Sequence, residues 1–243
     1  MSSITKGLVL AFSMLSTLPF LHVHSFFKGI NGYAVMFYPV VGLTLGTILL
    51  LASIVFEPFF GATHSSLLVL ALWVGVTGAL HLDGFSDTID ALFVSKIKRE
   101  AVRKDPNIGA MGLHFSVIFL LLKASALWHL DTLYTLPFIM MLARYNATIA
   151  LHFFEYGKGS GMASLAKEEF TNRQFVVSTL FIALGALLFQ NSLIIIFISL
   201  LYVWIVSKWL VKKFGALNGD GYGFVIETTE LLLLHVILIG IAL

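Results

Sequence analysis

Residues 66–90 read SLLVLALWVGVTGALHLDGFSDTID. The first part is an apolar run that suits a bilayer-crossing helix, Ser66–Leu82, and the acidic cluster follows where that run ends. Helical spacing puts Asp83, Asp87 and Asp90 at i, i+4 and i+7, on one helix face. No Lys or Arg interrupts the run from 81 to 90, so carboxylates stacked in this way repel one another unless a cation sits among them. The ordinary alternative is a solvated acidic helix start. Leu82, Phe85, Ile89, Leu92 and Phe93 argue against it, because they make the segment half apolar. Asp83, Asp87 and Asp90 are therefore read as metal ligands. Oxygen donors without thiolates suit a hard ion, magnesium, and magnesium beside a membrane suggests phosphate chemistry. His81 is a poor magnesium ligand and is read as a site-lining or hydrogen-bonding residue, with a direct catalytic role as the alternative.

The rest of the chain supplies the membrane. Of 243 residues, 58% are hydrophobic, 12% are charged and 22 are Phe, and the mean hydropathy is +0.95. A soluble domain carries about twice that charged fraction. With about 20 apolar residues needed per crossing, the chain predicts an all-α polytopic bundle of seven or eight transmembrane or interfacial helices. The whole of residues 1–243 is read as one membrane domain. Candidate spans are Ile4–Leu21, Tyr33–Phe56, Ser66–Leu82, Ala110–His129, Thr132–Phe154, Phe175–Phe189, Ser192–Val211 and Phe224–Leu243. The first could instead lie in the interface, since Ser and Thr interrupt it. It has no clear small-residue cleavage site and is expected to be retained. The absence of Cys excludes disulfides, iron–sulfur clusters and cysteine nucleophiles. A net charge of +2 gives no reason to expect a nucleic-acid partner.

Basic residues alternate between connections. Lys28 lies in the first, Lys96, Lys98, Arg99, Arg103 and Lys104 in the third, and Lys158, Lys167 and Arg173 in the fifth. Lys208, Lys212 and Lys213 close the seventh span, whereas Pro58–Ser65, Leu130–Asp131 and Gln190–Asn191 carry no Lys or Arg. The positive-inside rule makes the basic connections cytoplasmic. The polar motifs then share the cytoplasmic side, which favours an enzyme over a transporter with midplane polar groups.

Lys104–Gly112 enters the fourth span. Its Pro106 sets a turn, and Gly109 and Gly112 would let backbone N–H groups near the helix start meet a phosphate, with Asn107 and the Lys104 charge beside them. A plain loop-to-helix junction fits the same residues, and Asp105 could complete a metal shell or cap the helix. Arg144 and Lys123 lie inside predicted spans, where a cation needs an acidic partner or a polar cavity. For Arg144 an ion pair and a substrate contact stand level, and for Lys123 the structural role is favoured. Asn218–Gly223 reads as a flexible loop, with Asp220 as a further metal carboxylate or a plain loop residue. Glu227 and Glu230 read as polar lining.

The stretch Gly78–Asp90, with its pattern H-x-D-G-x-x-D-T-x-D, resembles the signature of the cobalamin synthase (adenosylcobinamide-GDP ribazoletransferase) family. Phe37–Gly42 resembles the family's F-x-P-x-x-G, Asp105–Gly112 its D-x-x-I-G-A-x-G, and Gly215–Gly223 its late glycine-rich segment, so the similarity runs nearly end to end. Ala91, Met111, Ala216 and Asn218 depart from the family pattern without removing a carboxylate, and Glu155–Gly161 matches poorly, which leaves the role of Lys158 open. The resemblance implies a magnesium-dependent transfer of α-ribazole or its 5′-phosphate onto adenosylcobinamide-GDP, with release of GMP. It also implies an integral protein of a bacterial or archaeal cytoplasmic membrane, in contact with the bilayer and with its active site on the cytoplasmic side. Lys104, Asp105, Asn107, Gly109, Arg144 and Lys158 become candidate substrate contacts. Asp83, Asp87, Asp90 and Asp220 become the metal set, with Asp90, as the least enclosed of its row, the candidate general base. A CDP-alcohol phosphatidyltransferase lacks support because Phe85–Thr88 stands where its Ala-Arg pair belongs. A cation or corrinoid transporter is the other alternative. The oligomeric state is left open.

Overall fold

The computed structural model describes residues 2–18, 26–97, 99, 107–157, 161–189 and 191–240. Among these residues the secondary structure is helical apart from one parallel bridge between Tyr156 and Leu217. Four helices are long and apolar enough to cross a membrane, and their outward faces carry exposed Leu121, Ile118, Phe197 and Leu201. This is the all-α membrane bundle that the composition predicts.

Helix α1 (Ser3–Leu15) rises only about 20 Å, less than the ~30 Å hydrocarbon layer, which favours the interfacial alternative for the first segment. The predicted span Tyr33–Phe56 is divided. A short α2 (Ile30–Met36) ends at Phe37, and α3 (Tyr38–Thr77) begins with Pro39 in its first turn, where the fixed φ of proline suits a helix start.

Two glycine turns then redirect the chain. At Gly61 the backbone leaves helical geometry with φ 71° and ψ 164°, a region open to a residue without Cβ. Tyr38, at one end of α3, borders the same cavity as Leu80 and His81, just past the other end. A straight helix of 40 residues would hold those ends about 60 Å apart. The chain therefore doubles back at Gly61, and residues 38–60 and 62–77 are two antiparallel arms. The predicted connection around Pro58–Ser65 shrinks to this one glycine. At Gly78 and Ala79, with φ 61° and 54°, the chain turns again into α4 (Leu80–Leu92). The predicted span thus stops at Thr77, and the acidic run occupies its own helix.

The expected Ala110–His129 is α5, with those bounds. Helix α6 (Leu136–Phe153) is the axis of the bundle, and every residue from 136 to 151 is buried. Its backbone is approached closely by α3. A Cβ on Gly42 would fall 2.2 Å from the Met140 carbonyl oxygen, and one on Gly46 would fall 2.4 Å from Pro137 Cα. The i, i+4 glycine pair lets two helix backbones touch where lipid supplies no hydrophobic driving force. Beyond α6 come α7 (Met162–Glu169), which was not expected, α8 (Asn172–Ala186) with a Thr171–Gln174 capping box, α9 (Ser192–Phe214) and α10 (Gly219–Leu238).

The interior cations are paired. Lys123 on α5 donates to Glu227 and Glu230 of α10, each at 2.6 Å, and Arg144 on α6 donates to Glu230. Lys123 also lies 4.2 Å from the Trp73 ring centroid. Two cations and two carboxylates balance inside the bundle. This is the ion-pair alternative for Arg144 and the structural role for Lys123, and it makes Glu227 and Glu230 pairing partners more than polar lining.

Candidate active site

The site is made by two helices that meet through glycines. A Cβ on Gly84 of α4 would stand 3.0 Å from both Cα and O of Asp220, and one on Gly223 of α10 would stand 3.0 Å from the His81 carbonyl oxygen. Only residues without a side chain permit this backbone contact. It brings Asp83 of α4 and Asp220 of α10 to the edge of one cavity of about 310 Å³ that His81, Tyr156 and Tyr222 also border. The segment read as a flexible loop, Asn218–Gly223, is the start of α10. Asn218 caps the helix by accepting from the Gly221 N–H at 2.9 Å, and its amide donates to Asp220 at 2.7 Å.

The acidic face of α4 is graded. Asp83 is exposed at the cavity and Asp87 is half-buried. Asp90 is only 7% exposed and accepts from the N–H groups of Gly109 and Gly112, each at 2.8 Å. It therefore satisfies orphan donors at the start of α5. Two expectations are corrected by this arrangement. Asp90 is the most enclosed carboxylate of its row, not the least, and each of its oxygens accepts a backbone N–H, which removes the reason for choosing it as general base. Gly109 does not hold its N–H for a phosphate, because that N–H is given to Asp90. The glycines are required here by steric contact, since a Cβ at either position would fall 2.3 Å from an Asp90 oxygen.

His81 is 4% exposed and both its ring nitrogens lack a hydrogen-bond partner, while the residue borders the cavity. Arg144 is fully buried against Glu230, so the structure gives no support to its role as a substrate contact. Asn107 is exposed at the entry to α5. Lys104, Asp105 and Lys158 lie outside the described residues. Among the described residues no three His, Cys, Asp or Glu side chains gather as a ready-made metal cage.

Several cavity residues were not singled out by the sequence. Tyr156 follows the end of α6, where its backbone pairs with Leu217, and its ring stacks on Tyr222 with centroids 6.2 Å apart. Burial, and next the Asp220 carboxylate, push its hydroxyl above the ordinary tyrosine value, so it stays protonated and able to donate. Helix α7 covers the cavity and is tied down by Lys167, whose ammonium donates to the carbonyls of Leu151, His152 and Phe154 at 2.7, 3.1 and 2.9 Å. These are free carbonyls at the end of α6, where a cation is favourable. Glu169, two residues further along the same last turn of α7, accepts from the N–H and the amide of Asn31, both at 2.9 Å. A basic residue near a helix end is too common a pattern for the sequence to have marked Lys167.

The sequence profile described as Cobalamin-5-phosphate synthase matches residues 7–238. The chain belongs to this family. Relatives named Adenosylcobinamide-GDP ribazoletransferase include one from Brevibacillus brevis, 33% identical over 90% of this chain and 96% of the relative. Another, from Deinococcus radiodurans, is 32% identical over 94% and 84% of the two chains. A third, from Desulforamulus reducens, is 29% identical over 97% of each. No solved structure matches the chain. Membership of the cobalamin-5-phosphate synthase family agrees with the resemblance drawn from Gly78–Asp90 and favours neither the phosphatidyltransferase nor the transporter.

Proposed function

We propose that this membrane enzyme transfers α-ribazole, or its 5′-phosphate, onto adenosylcobinamide-GDP and releases GMP. The observation that carries the reading is the meeting of Asp83 and Asp220 at one nucleotide-sized cavity, in a chain that belongs to this family over almost its whole length. A ribazole hydroxyl oxygen bonds to the cobinamide-side phosphorus. The bond from that phosphorus to the bridging oxygen breaks, GMP departs with the electron pair, and the hydroxyl proton is released.

The carboxylates fit a magnesium ion. Magnesium is held through one or two carboxylates together with substrate phosphates and retained waters, not by a full protein cage. Two oxygen-donor residues on facing helices, with Asp87 one turn along α4, match that need. When bound there by Asp83 and Asp220, the ion would neutralise the diphosphate and the charge that develops on the leaving phosphate. The protonated Tyr156 hydroxyl donates toward the same edge. His81 borders the cavity with both ring nitrogens buried and unpartnered, and a small shift of its ring would let it accept a hydroxyl proton or orient the acceptor. Asp90 acts at one remove, by fixing the start of α5 against α4.

The reactive end is proposed to face the cytoplasm. In support, Lys96 lies beyond α4 and Lys212 and Lys213 close α9, and Arg99 joins these two regions by donating to the Lys213 carbonyl at 2.6 Å. That end is the basic one, as the positive-inside rule requires of a cytoplasmic face. The test is GMP release by purified protein given adenosylcobinamide-GDP, α-ribazole phosphate and magnesium. Release that stops with EDTA, together with a cobalamin product, is expected. Nucleotide release unaffected by EDTA would remove the metal from the reading, and no release would remove the reaction.

A further inference from the structure

A second space, larger than the catalytic cavity and unused by the transfer chemistry, opens between α1, α2 and α8. Its volume is about 660 Å³. Helix α8 contributes Arg173, Val177 and Phe181, which follow one another at i, i+4 and i+8 along a single face. Met36 and Phe37, at the end of α2, and Ile4 of α1 complete the apolar lining. The Phe37 and Phe181 rings stack with centroids 5.8 Å apart. The groove therefore has an ordered polarity, with a cation at one end and an apolar floor that runs about 12 Å along α8. Arg173 is exposed and forms no ion pair among the described residues. Lys28, also exposed, precedes the lining Gly29. The acid on this rim, Glu169, accepts from the Asn31 N–H and amide and forms no salt bridge with Arg173.

The order of charge and apolar surface decides what fits. A free anion would use the Arg173 end and leave the apolar floor wet. A second copy of the chain would cover the cation together with the floor, and an unpaired charge buried in that way carries a large penalty. A phospholipid matches both ends at once, with its phosphate at the cation and an acyl chain on the floor. The neighbouring stripe of α8 supports this occupant. Val176, Leu180 and Leu184 are exposed there, which suits a helix face in contact with hydrocarbon, so the groove opens beside a surface where acyl chains already lie.

We propose that the groove between α1, α2 and α8 binds one anionic phospholipid, with its phosphate held by Arg173 and Lys28 and one acyl chain laid over Val177, Phe181 and Phe37. A negative headgroup is selected because the rim carries two basic side chains and its carboxylate is turned to Asn31. Both cations also fall in connections that the alternation of charge assigns to the cytoplasmic side, the leaflet in which anionic lipids set a negative surface potential. The site is separate from the catalytic cavity, and its occupancy is independent of the transfer reaction.

The experiment reads binding without substrates. Purified protein in detergent is titrated with phosphatidylglycerol or with phosphatidylcholine, and bound lipid is counted by native mass spectrometry. A basic side chain beside anionic lipid is worth about fivefold in binding. With two such charges, wild-type protein should hold one phosphatidylglycerol about 25-fold more tightly than phosphatidylcholine. Arg173→Gln should reduce that preference about fivefold, and Arg173→Lys should restore it. Val177→Trp fills the floor and should weaken both lipids while leaving their ratio unchanged. The proposal is overturned if the two lipids bind equally, or if Arg173→Gln leaves the preference as it was. Displacement of phosphatidylglycerol by inorganic phosphate would also overturn it, by marking a free-anion site. A detergent-stable dimer that Val177→Trp dissociates would do the same, because a second copy would then fill the groove. GMP release by these variants in detergent should match that of wild type, so a missing lipid preference and a missing transfer reaction are separate results.

Discussion

The protein holds carboxylates in two places inside its bundle, and they are used in opposite ways. Glu227 and Glu230 lie among Lys123 and Arg144, all under 5% exposed, with positive and negative charges in balance. Asp83 stands exposed at the cavity with no partner among the described residues, and Asp220 faces it across the Gly84 contact. The first group is paired within the protein and holds helices α5, α6 and α10 together. Asp83 leaves its charge directed at a space, which is worthwhile only if something charged arrives. Chemical conspicuousness in a sequence is therefore a poor guide to role. Arg144 is as unusual in a membrane span as Asp83 is at its edge, yet only Asp83 is open to a substrate.

The comparison can be broken by variants that separate activity from stability. The largest effect is expected from Asp83→Asn, which should lower GMP release by about a hundredfold or more, as loss of a metal-site group does, with an unchanged melting temperature. Activity within a fewfold of wild type would end the metal assignment. Next comes Glu230→Gln, which leaves two buried cations sharing one carboxylate. Removal of one partner from a buried ion pair costs about 3–5 kcal/mol, so the melting temperature in detergent should fall sharply, and an unchanged one would mean that the cluster is not structural. Asp90→Asn should behave like the interior group although it lies in the acidic run. It loses a charge-assisted contact to the α5 N–H groups, worth about 1–3 kcal/mol, and the EDTA sensitivity of the remaining activity should persist. A loss of metal dependence in this variant would return Asp90 to the metal set.

The smallest effect concerns pH. Burial alone would raise the Glu169 carboxyl, but the backbone N–H groups of Gly29, Asn31 and Gly32 and the Asn31 amide outweigh it and hold the value below the ordinary carboxylate range. A group whose folded value is depressed adds stability above its unfolded value and loses that contribution as pH falls through the folded one. Attachment of α7 to α2 should therefore weaken below about pH 4.5, as faster amide exchange in α7. Glu169→Gln should remove this dependence, and an unaltered profile in that variant would show that another group controls it.

How much of this was legible in advance differs between elements. The α5 bounds were readable because Ala110–His129 is a predominantly apolar run, interrupted by the single charge of Lys123, with polar residues at each side. Helices α2 and α7 were not, since each is shorter than a periodicity signal needs. Of the two turns in 56–80, the reversal at Gly61 was legible as the Pro58–Ser65 connection, although not its reduction to one residue. The turn at Gly78 was obscured, because that residue looks like an ordinary small residue in an apolar run and only its positive φ reveals that the chain turns there. The cavity was partly legible, because i, i+4, i+7 spacing fixed the acidic face of α4. It could not show which of the three carboxylates would be taken by a neighbouring helix.

The sequence by itself determined the membrane environment, the helical class, the family and the acidic face, since hydrophobicity and helical period depend only on the order of residues. Only the tertiary structure decided that Asp220 joins Asp83, that Asp90 is claimed by Gly109 and Gly112, and that Arg144 is neutralised by Glu230. Those pairings join residues distant along the chain. They depend on how closely two backbones can approach, and at Gly84 and Gly223 that distance is set by the absence of a side chain.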